Sequence, residues 1–126
     1  MLMIDTDVLI WYLRGYEKAR AVIEKQESFY ISVVTYIEIV QGMRNKRELK
    51  LFRSALRNWN AGIAFINEEI SSKAMFYVEQ YYLSHSLELA DSLIAATAVV
   101  NGFELLTGNV KHYKAVNGLD VKTFTP

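Results

Sequence analysis

The sequence contains no cysteine, and its only proline is the last residue, Pro126. Without cysteine there is no disulfide framework, no thiol nucleophile and no zinc site built on thiolates. With no internal proline and six glycines scattered singly, nothing reads as a linker, and residues 1–126 are taken as one domain. Histidine is scarce: His85 reads as a surface or cap residue, and His112, three residues after Asn109, reads as structural, with an approach to a site near Asn109 as the alternative. Long apolar runs are missing too. The longest, Leu93 to Val100, falls well short of the roughly 20 residues that span a membrane. No Lys or Arg precedes the apolar stretch up to Ile4, so no signal peptide is expected and a cytoplasmic location is. There is no Gly-x-Gly-x-x-Gly, phosphate-binding P-loop, Gly-x-Ser-x-Gly or His-Glu-x-x-His.

What is present is ordinary for a globular protein: 52% hydrophobic and 22% charged residues, with a formal net charge of zero. Charge is nonetheless unevenly spread. Arg44, Lys46, Arg47, Lys50, Arg53 and Arg57 face only Glu48 in the same stretch, which makes a basic segment on an otherwise acidic chain. Lys46, Lys50, Arg53 and Arg57 recur at three- or four-residue spacing and line one helix face. Phe52, Leu56 and Trp59 form the stripe that should meet the core. The cationic face is a candidate RNA contact; a merely solvated face, or one used by a protein partner, is the alternative.

Short apolar runs alternate with segments of helical period. Leu2 to Ile4, Phe29 to Val34, Ile63 to Ile66, Glu104 to Thr107 and Val121 to Phe124 read as strands. Helices are expected over 7–13 with Asp7 as its cap, and over 17–27, 35–42, 47–60, 68–83 and 87–101. Strands separated by helices predict an α/β domain with a mostly parallel sheet, and such sheets bind ligands at the carboxyl ends of their strands. Asp5, Thr6 and Asp7 follow the first run, Thr35 and Glu38 the second, Thr107 and Asn109 the fourth. Asp91 stands in an apolar helix with no basic residue within fourteen positions, and a buried acid without a partner is costly. If Asp5, Glu38 and Asp91 converge to about 5 Å, each pair repels by roughly 3 kcal/mol at an effective dielectric near 20. Protonation or a divalent cation must then offset the repulsion, and an oxygen-only site suits Mg²⁺ or Mn²⁺.

Four stretches in order, Met3 to Ile10, Ser32 to Gly42, Leu89 to Ala98 and Leu105 to Tyr113, resemble the PIN-domain ribonucleases, and among them the VapC toxins of VapBC-type toxin–antitoxin pairs. The resemblance implies a three-layer α/β/α fold with a central, mostly parallel sheet of about five strands. It implies an endoribonuclease acting on RNA, with Asp5, Glu38 and Asp91 as the catalytic acids that hold Mg²⁺ or Mn²⁺. Thr6 and Thr107 match supporting hydroxyl positions. It also implies a cognate antitoxin whose tail covers the active-site groove, and a homodimer. The chain departs from the pattern at Asn109, where many relatives have an acid, and at Asp7, where Asn or Ser is more usual. Asn109 and Asp7 are therefore further metal-ligand candidates, and the number of ions stays open.

Two other readings compete. Asp5-Thr6-Asp7-Val8 also looks like the opening of a haloacid-dehalogenase-type phosphatase, with Lys73 as a candidate lysine, but no acidic pair follows Leu106. A degenerate, non-catalytic binding module would be signalled by a lost triad member, and none is lost.

Overall fold

The computed structural model describes residues 1–126. The chain runs β1 (Leu2–Ile4), α1 (Thr6–Leu13), α2 (Glu17–Glu24), β2 (Phe29–Ser32), α3 (Val33–Gln41), α4 (Lys46–Asn58) and β3 (Ala61–Ala64). It continues through α5 (Glu68–His85), α6 (Leu89–Asn101), β4 (Glu104–Thr107), α7 (Val110–Tyr113) and β5 (Val121–Thr123). The five strands form one sheet in the order β3-β2-β1-β4-β5. Every pairing is parallel, with Met3 opposite Tyr30 and Leu105, and Ile31 opposite Ile63. All five strands therefore end at one edge of the sheet.

Side-chain alternation along the strands divides the core into two halves. Met3 and Leu105 point to one face, where they pack with Ile70, Tyr77 and Ile94 from α5 and α6 and with Tyr113 from α7. Ile4, Ile31 and Leu106 point to the other, against Leu9, Ile23, Ile39 and Phe52 from α1 to α4. Burial on both faces is why the strands read as continuous apolar runs rather than alternating ones. No helix is long and apolar enough to cross a membrane.

Several boundaries move from their expected places for local reasons. Val33 and Val34 leave the second strand and open α3, because the Ser32 hydroxyl accepts from the Val34 N–H and starts the helix. The cap of α1 is Asp5, whose Oδ1 accepts from the Thr6 N–H, so Asp7 lies inside the first turn instead of capping it. Likewise α6 begins at Leu89: Glu88 and Asp91 form a reciprocal capping box that satisfies amides left open at a helix start.

Candidate active site

The strand ends bring the sequence-selected residues to one edge. Asp5 directly follows β1 and is only 3% exposed. Its Oδ1 caps α1, and its Oδ2 accepts from the Thr107 hydroxyl at 2.8 Å. Thr107, at the end of neighbouring β4, in turn accepts from the Asn109 N–H at 2.9 Å. Thr6 works on the opposite flank. Its hydroxyl donates to Glu38 Oε1 at 2.7 Å and lies 3.0 Å from the Thr35 hydroxyl. One residue thus steadies Asp5 through its backbone and Glu38 through its side chain.

Asp91 joins from the third side. Its Oδ2 accepts from the Glu88 N–H at 3.2 Å, and the Tyr113 hydroxyl donates to its Oδ1 at 3.4 Å. Tyr113 is buried, and its phenol faces the charges of Asp5, Asp91 and Asp7 together. Burial first, and those negative charges second, hold its proton on well beyond the ordinary tyrosine range. The partner of Asp91 is therefore a phenol, with His112 Nδ1 at 3.7 Å from Oδ2, rather than a distant Lys or Arg.

Burial dominates the electrostatics. It pushes the Asp5 carboxyl up from 3.8 to about 7, and the charge of Asp7 adds to the shift, against the hydrogen bonds from Thr107, Thr6 and Tyr113. Asp7 is also raised by burial, opposed chiefly by the Gly108 N–H, which donates to its Oδ2 at 2.8 Å. Only glycine fits there without a shift: a Cβ on residue 108 would stand 2.7 Å from that same oxygen.

No three His, Asp or Glu side chains stand close enough to hold one ion between them. Each carboxylate is turned by its own hydrogen bond, Asp5 to Thr107, Glu38 to Thr6 and Asp91 back to Glu88. The expected close cluster of Asp5, Glu38 and Asp91 is therefore not formed; Thr6 links Asp5 to Glu38, and the Tyr113 hydroxyl reaches Asp91. The donor chemistry nevertheless suits a hard divalent cation. Two atoms there, Asp7 Oδ1 and His112 Nδ1, are shielded and have no hydrogen-bond partner. Leaving such atoms unsatisfied costs about 1–3 kcal/mol each, and a cation would offset that cost. Asn109 is exposed and its side chain makes no cap bond. His112, three residues beyond Asn109, comes within 3.7 Å of Asp91 Oδ2.

Two clefts flank these groups. One, of about 800 Å³, runs between α1, α3 and α4 and is lined by Ile10, Leu13, Ile39, Leu51, Phe52 and Trp59; Glu38, Arg14 and Arg44 also border it. The other, of about 430 Å³, lies between α7 and the C-terminal segment and includes Asn109, Lys111 and His112. The basic stripe of α4 is solvent-exposed as expected, and Phe52 and Leu56 are buried. Glu48, Leu51, Phe52 and Ala55 face the larger cleft. At about 100° per residue, Lys46, Lys50, Arg53 and Arg57 lie on the opposite side of the helix from it. Lys73, required by the phosphatase reading, sits on α5 over the Tyr77 ring, beside Glu68 and Glu69.

Comparison with known proteins agrees with the fold. The family model described as PIN domain matches residues 2–118. Ribonuclease VapC10 of Mycobacterium tuberculosis is 37% identical over 117 residues, covering 90% of this chain and 86% of that protein. Ribonuclease VapC1 of Rickettsia felis is 33% identical, covering 97% and 95%. Among solved structures, a toxin–antitoxin complex from Klebsiella pneumoniae contains a chain that superposes with a TM-score of 0.81 at 27% identity, covering 98% of this chain and 97% of that one. VapBC2 from Rickettsia felis, bound to a promoter DNA fragment, shares the fold with a TM-score of 0.78 at 16% identity.

Proposed function

Because this chain belongs to the PIN-domain family, we propose that it is a metal-dependent endoribonuclease that cleaves RNA phosphodiester bonds as the toxin of a type II toxin–antitoxin pair. The observation that carries the reading is the double linkage at the sheet edge. Thr6 ties Asp5 to Glu38, and Tyr113 lies between Asp5 and Asp91. Three acids, one just after β1 and one each in α3 and α6, thereby share linking residues at one end of the sheet, and two orphaned polar atoms accompany them.

Asp5, Glu38 and Asp91 would hold the ion, with Asp7 and Asn109 at its margin. Mg²⁺ or Mn²⁺ bound there supplies Lewis-acid stabilisation of a phosphoryl oxygen and a more acidic water. The protein's own part is to orient and charge the site. Thr107 and Thr6 fix the two oxygens of Asp5, and Thr6 also fixes one oxygen of Glu38. Burial raises the Asp5 carboxyl to about 7, and its ionised form would be favoured if a cation were held beside it. Arg14 at the larger cleft, Lys111 at the smaller one, and Arg44, which is paired with Glu48, would take phosphates along these surfaces. Lys46, Lys50, Arg53 and Arg57 would form an outlying RNA contact.

The apolar cleft between α1, α3 and α4 suits the tail of an antitoxin. It offers apolar walls, two arginines, and Glu38 at its border; a peptide lying there would cover one of the catalytic acids. Phe76, Tyr82 and Leu83 of α5 are exposed and provide an apolar face for a homodimer. The absence of cysteine suits a reducing cytoplasm.

The test is cleavage of a panel of structured RNAs by the purified chain. Cutting is expected with Mg²⁺ or Mn²⁺, none with EDTA, recovery when the cation is restored, and inhibition by a cognate antitoxin. Cutting that persists in EDTA would remove the metal from the proposal. Antitoxin binding without cutting under any divalent cation would favour the binding-module reading.

A further inference from the structure

The turn after α1 carries aromatic rings and a cation in place of acids. The helix stops at Leu13, and Gly15, with φ at +86°, turns the chain back; a left-handed conformation of this kind favours glycine. The turn closes with the Gly15 N–H donating to the Tyr12 carbonyl at 2.9 Å and the Tyr16 N–H to the Trp11 carbonyl at 3.1 Å. Tyr16 is thereby laid edge-on against Trp11, with ring centroids 4.2 Å apart and planes at 67°. Arg14 places its guanidinium carbon 5.8 Å from the centre of the same Trp11 ring. Trp11 is partly buried and packs against the core, so it is a fixed ring that carries a phenol and a cation. Tyr16 is 45% exposed. The ion pairs of the chain are Arg44–Glu48 and His112–Asp91, so the exposed Arg14 has no carboxylate partner.

An aromatic ring beside an unpaired cation matches the two parts of a nucleotide, a flat base and a phosphate. The place is connected to the acids. Arg14 and Glu38 line the same cleft, and Thr6, which donates to Glu38, stands at the other end of α1. Arg14 lies eight positions beyond Thr6, about 12 Å at roughly 1.5 Å per residue. That is the length of about three to four stacked nucleotides at roughly 3.4 Å each. We propose that Tyr16 and Arg14, seated on Trp11, form a subsite for one unpaired base and its phosphate, so that the substrate is single-stranded RNA gripped a few nucleotides from the cut. The proposal rests on the ribonuclease reading above and deepens it by naming the substrate class. Bases inside a duplex are stacked on one another and offer no face to such a ring, whereas those of a loop or an end do.

Fluorescence anisotropy of the full chain with labelled oligouridylate and oligoadenylate, in EDTA so that nothing is cut, reads the subsite apart from catalysis. Tyr16→Ala should weaken binding of both strands roughly ten-fold and leave the log–log salt slope as in the parent. Tyr16→Phe keeps the ring and should bind within about two-fold of the parent. Arg14→Gln should lower the slope by roughly 0.7. An abasic strand and a duplex of the same length should bind the parent no better than they bind Tyr16→Ala. Thermal melts matching the parent would show that the variants fold. Equal affinity of the parent and Tyr16→Ala for single strands, or an equal loss with the abasic strand, would overturn the subsite, while cutting by the parent with Mg²⁺ or Mn²⁺ would leave the ribonuclease reading standing. Loss of antitoxin binding in Tyr16→Ala with RNA affinity unchanged would give the rim to a peptide instead. A parent that neither binds nor cuts single-stranded RNA would overturn both.

Discussion

The two flanks of Asp5 are built on opposite principles. Toward β4 the site is closed: Asp5 and Thr107 are buried, one hydrogen bond joins residues 102 positions apart, and Gly108 is pressed against Asp7. Toward α3 it is open: Glu38 is exposed, held by one hydroxyl, and borders the larger cleft. The closed flank sets charge, because desolvation dominates there. The open flank sets access, because the larger cleft reaches Glu38 there. Loss of function should therefore come with a change in stability on one flank and without it on the other.

Asp5→Asn gives the largest expected effect. Cleavage should fall on the order of 10³-fold, from loss of a charge worth several kcal/mol to the transition state. Stability should move the other way. The Asp5 carboxyl is raised from 3.8 to about 7 in the folded chain, so folded protein binds this proton more readily than unfolded protein. In EDTA the parent is then destabilised fully above pH 7, and the penalty disappears as pH falls toward 4. It corresponds to about 4 kcal/mol at most, less the cost of disturbing the Thr107 bond. Thermal melts in EDTA should place Asp5→Asn above the parent at pH 8 and level with it or below at pH 4. A variant that melts lower at both pH values would mean that Asp5 is a structural partner first.

Glu38→Gln sharpens the contrast. Cleavage should drop by roughly 10²-fold or more, while the melting temperature stays within about 2 °C of the parent at every pH, since an exposed side chain is lost. Melts and rates from one preparation decide it. Gly108→Ala probes the closed flank without removing an acid. The new Cβ would stand 2.7 Å from Asp7 Oδ2 and displace it from the Gly108 N–H, and a loss of about 1–3 kcal/mol is expected by denaturant unfolding. The smallest effect belongs to the α4 stripe. Arg53→Glu with Arg57→Glu should lower the log–log salt slope of RNA binding by roughly 0.7 per phosphate contact removed, with metal affinity unchanged. Because the stripe faces away from the larger cleft, that weakening should be smaller than for Lys111→Glu, and an equal or greater weakening would move the RNA path onto α4.

Much of the architecture could be read from the chain, because a parallel sheet buried on both faces leaves apolar runs that local pattern exposes. Asp5, Glu38 and Asp91 stood out for the same reason, as acids interrupting apolar context at strand ends or in an apolar helix. What stayed hidden was pairing across distance. Val33 and Val34 favour a strand by type, yet Ser32 turns them into a helix start. Asp7 looked like a cap until Gly108, 101 positions away, supplied its partner. Tyr113 and His112 belong to Asp91 only through packing of α7 against α6, and no spacing rule connects a phenol and an imidazole to an acid some twenty residues earlier.

The sheet order has a consequence for synthesis. β1 is made first yet lies at the centre, between β2 and β4, and β4 comes from the last quarter of the chain. On a ribosome, where chains emerge from the N-terminus at about 5–20 residues per second, Asp5 appears at the outset but waits for Thr107, Tyr113 and β5 before its surroundings exist. A growing chain carries Asp5 and Glu38 with their flank incomplete, and the arrangement around them assembles only once β4, α7 and β5 have followed. Asp5 thus precedes, by 102 positions of synthesis, the Thr107 hydroxyl that holds it, and Asp91 precedes its partner Tyr113 by 22.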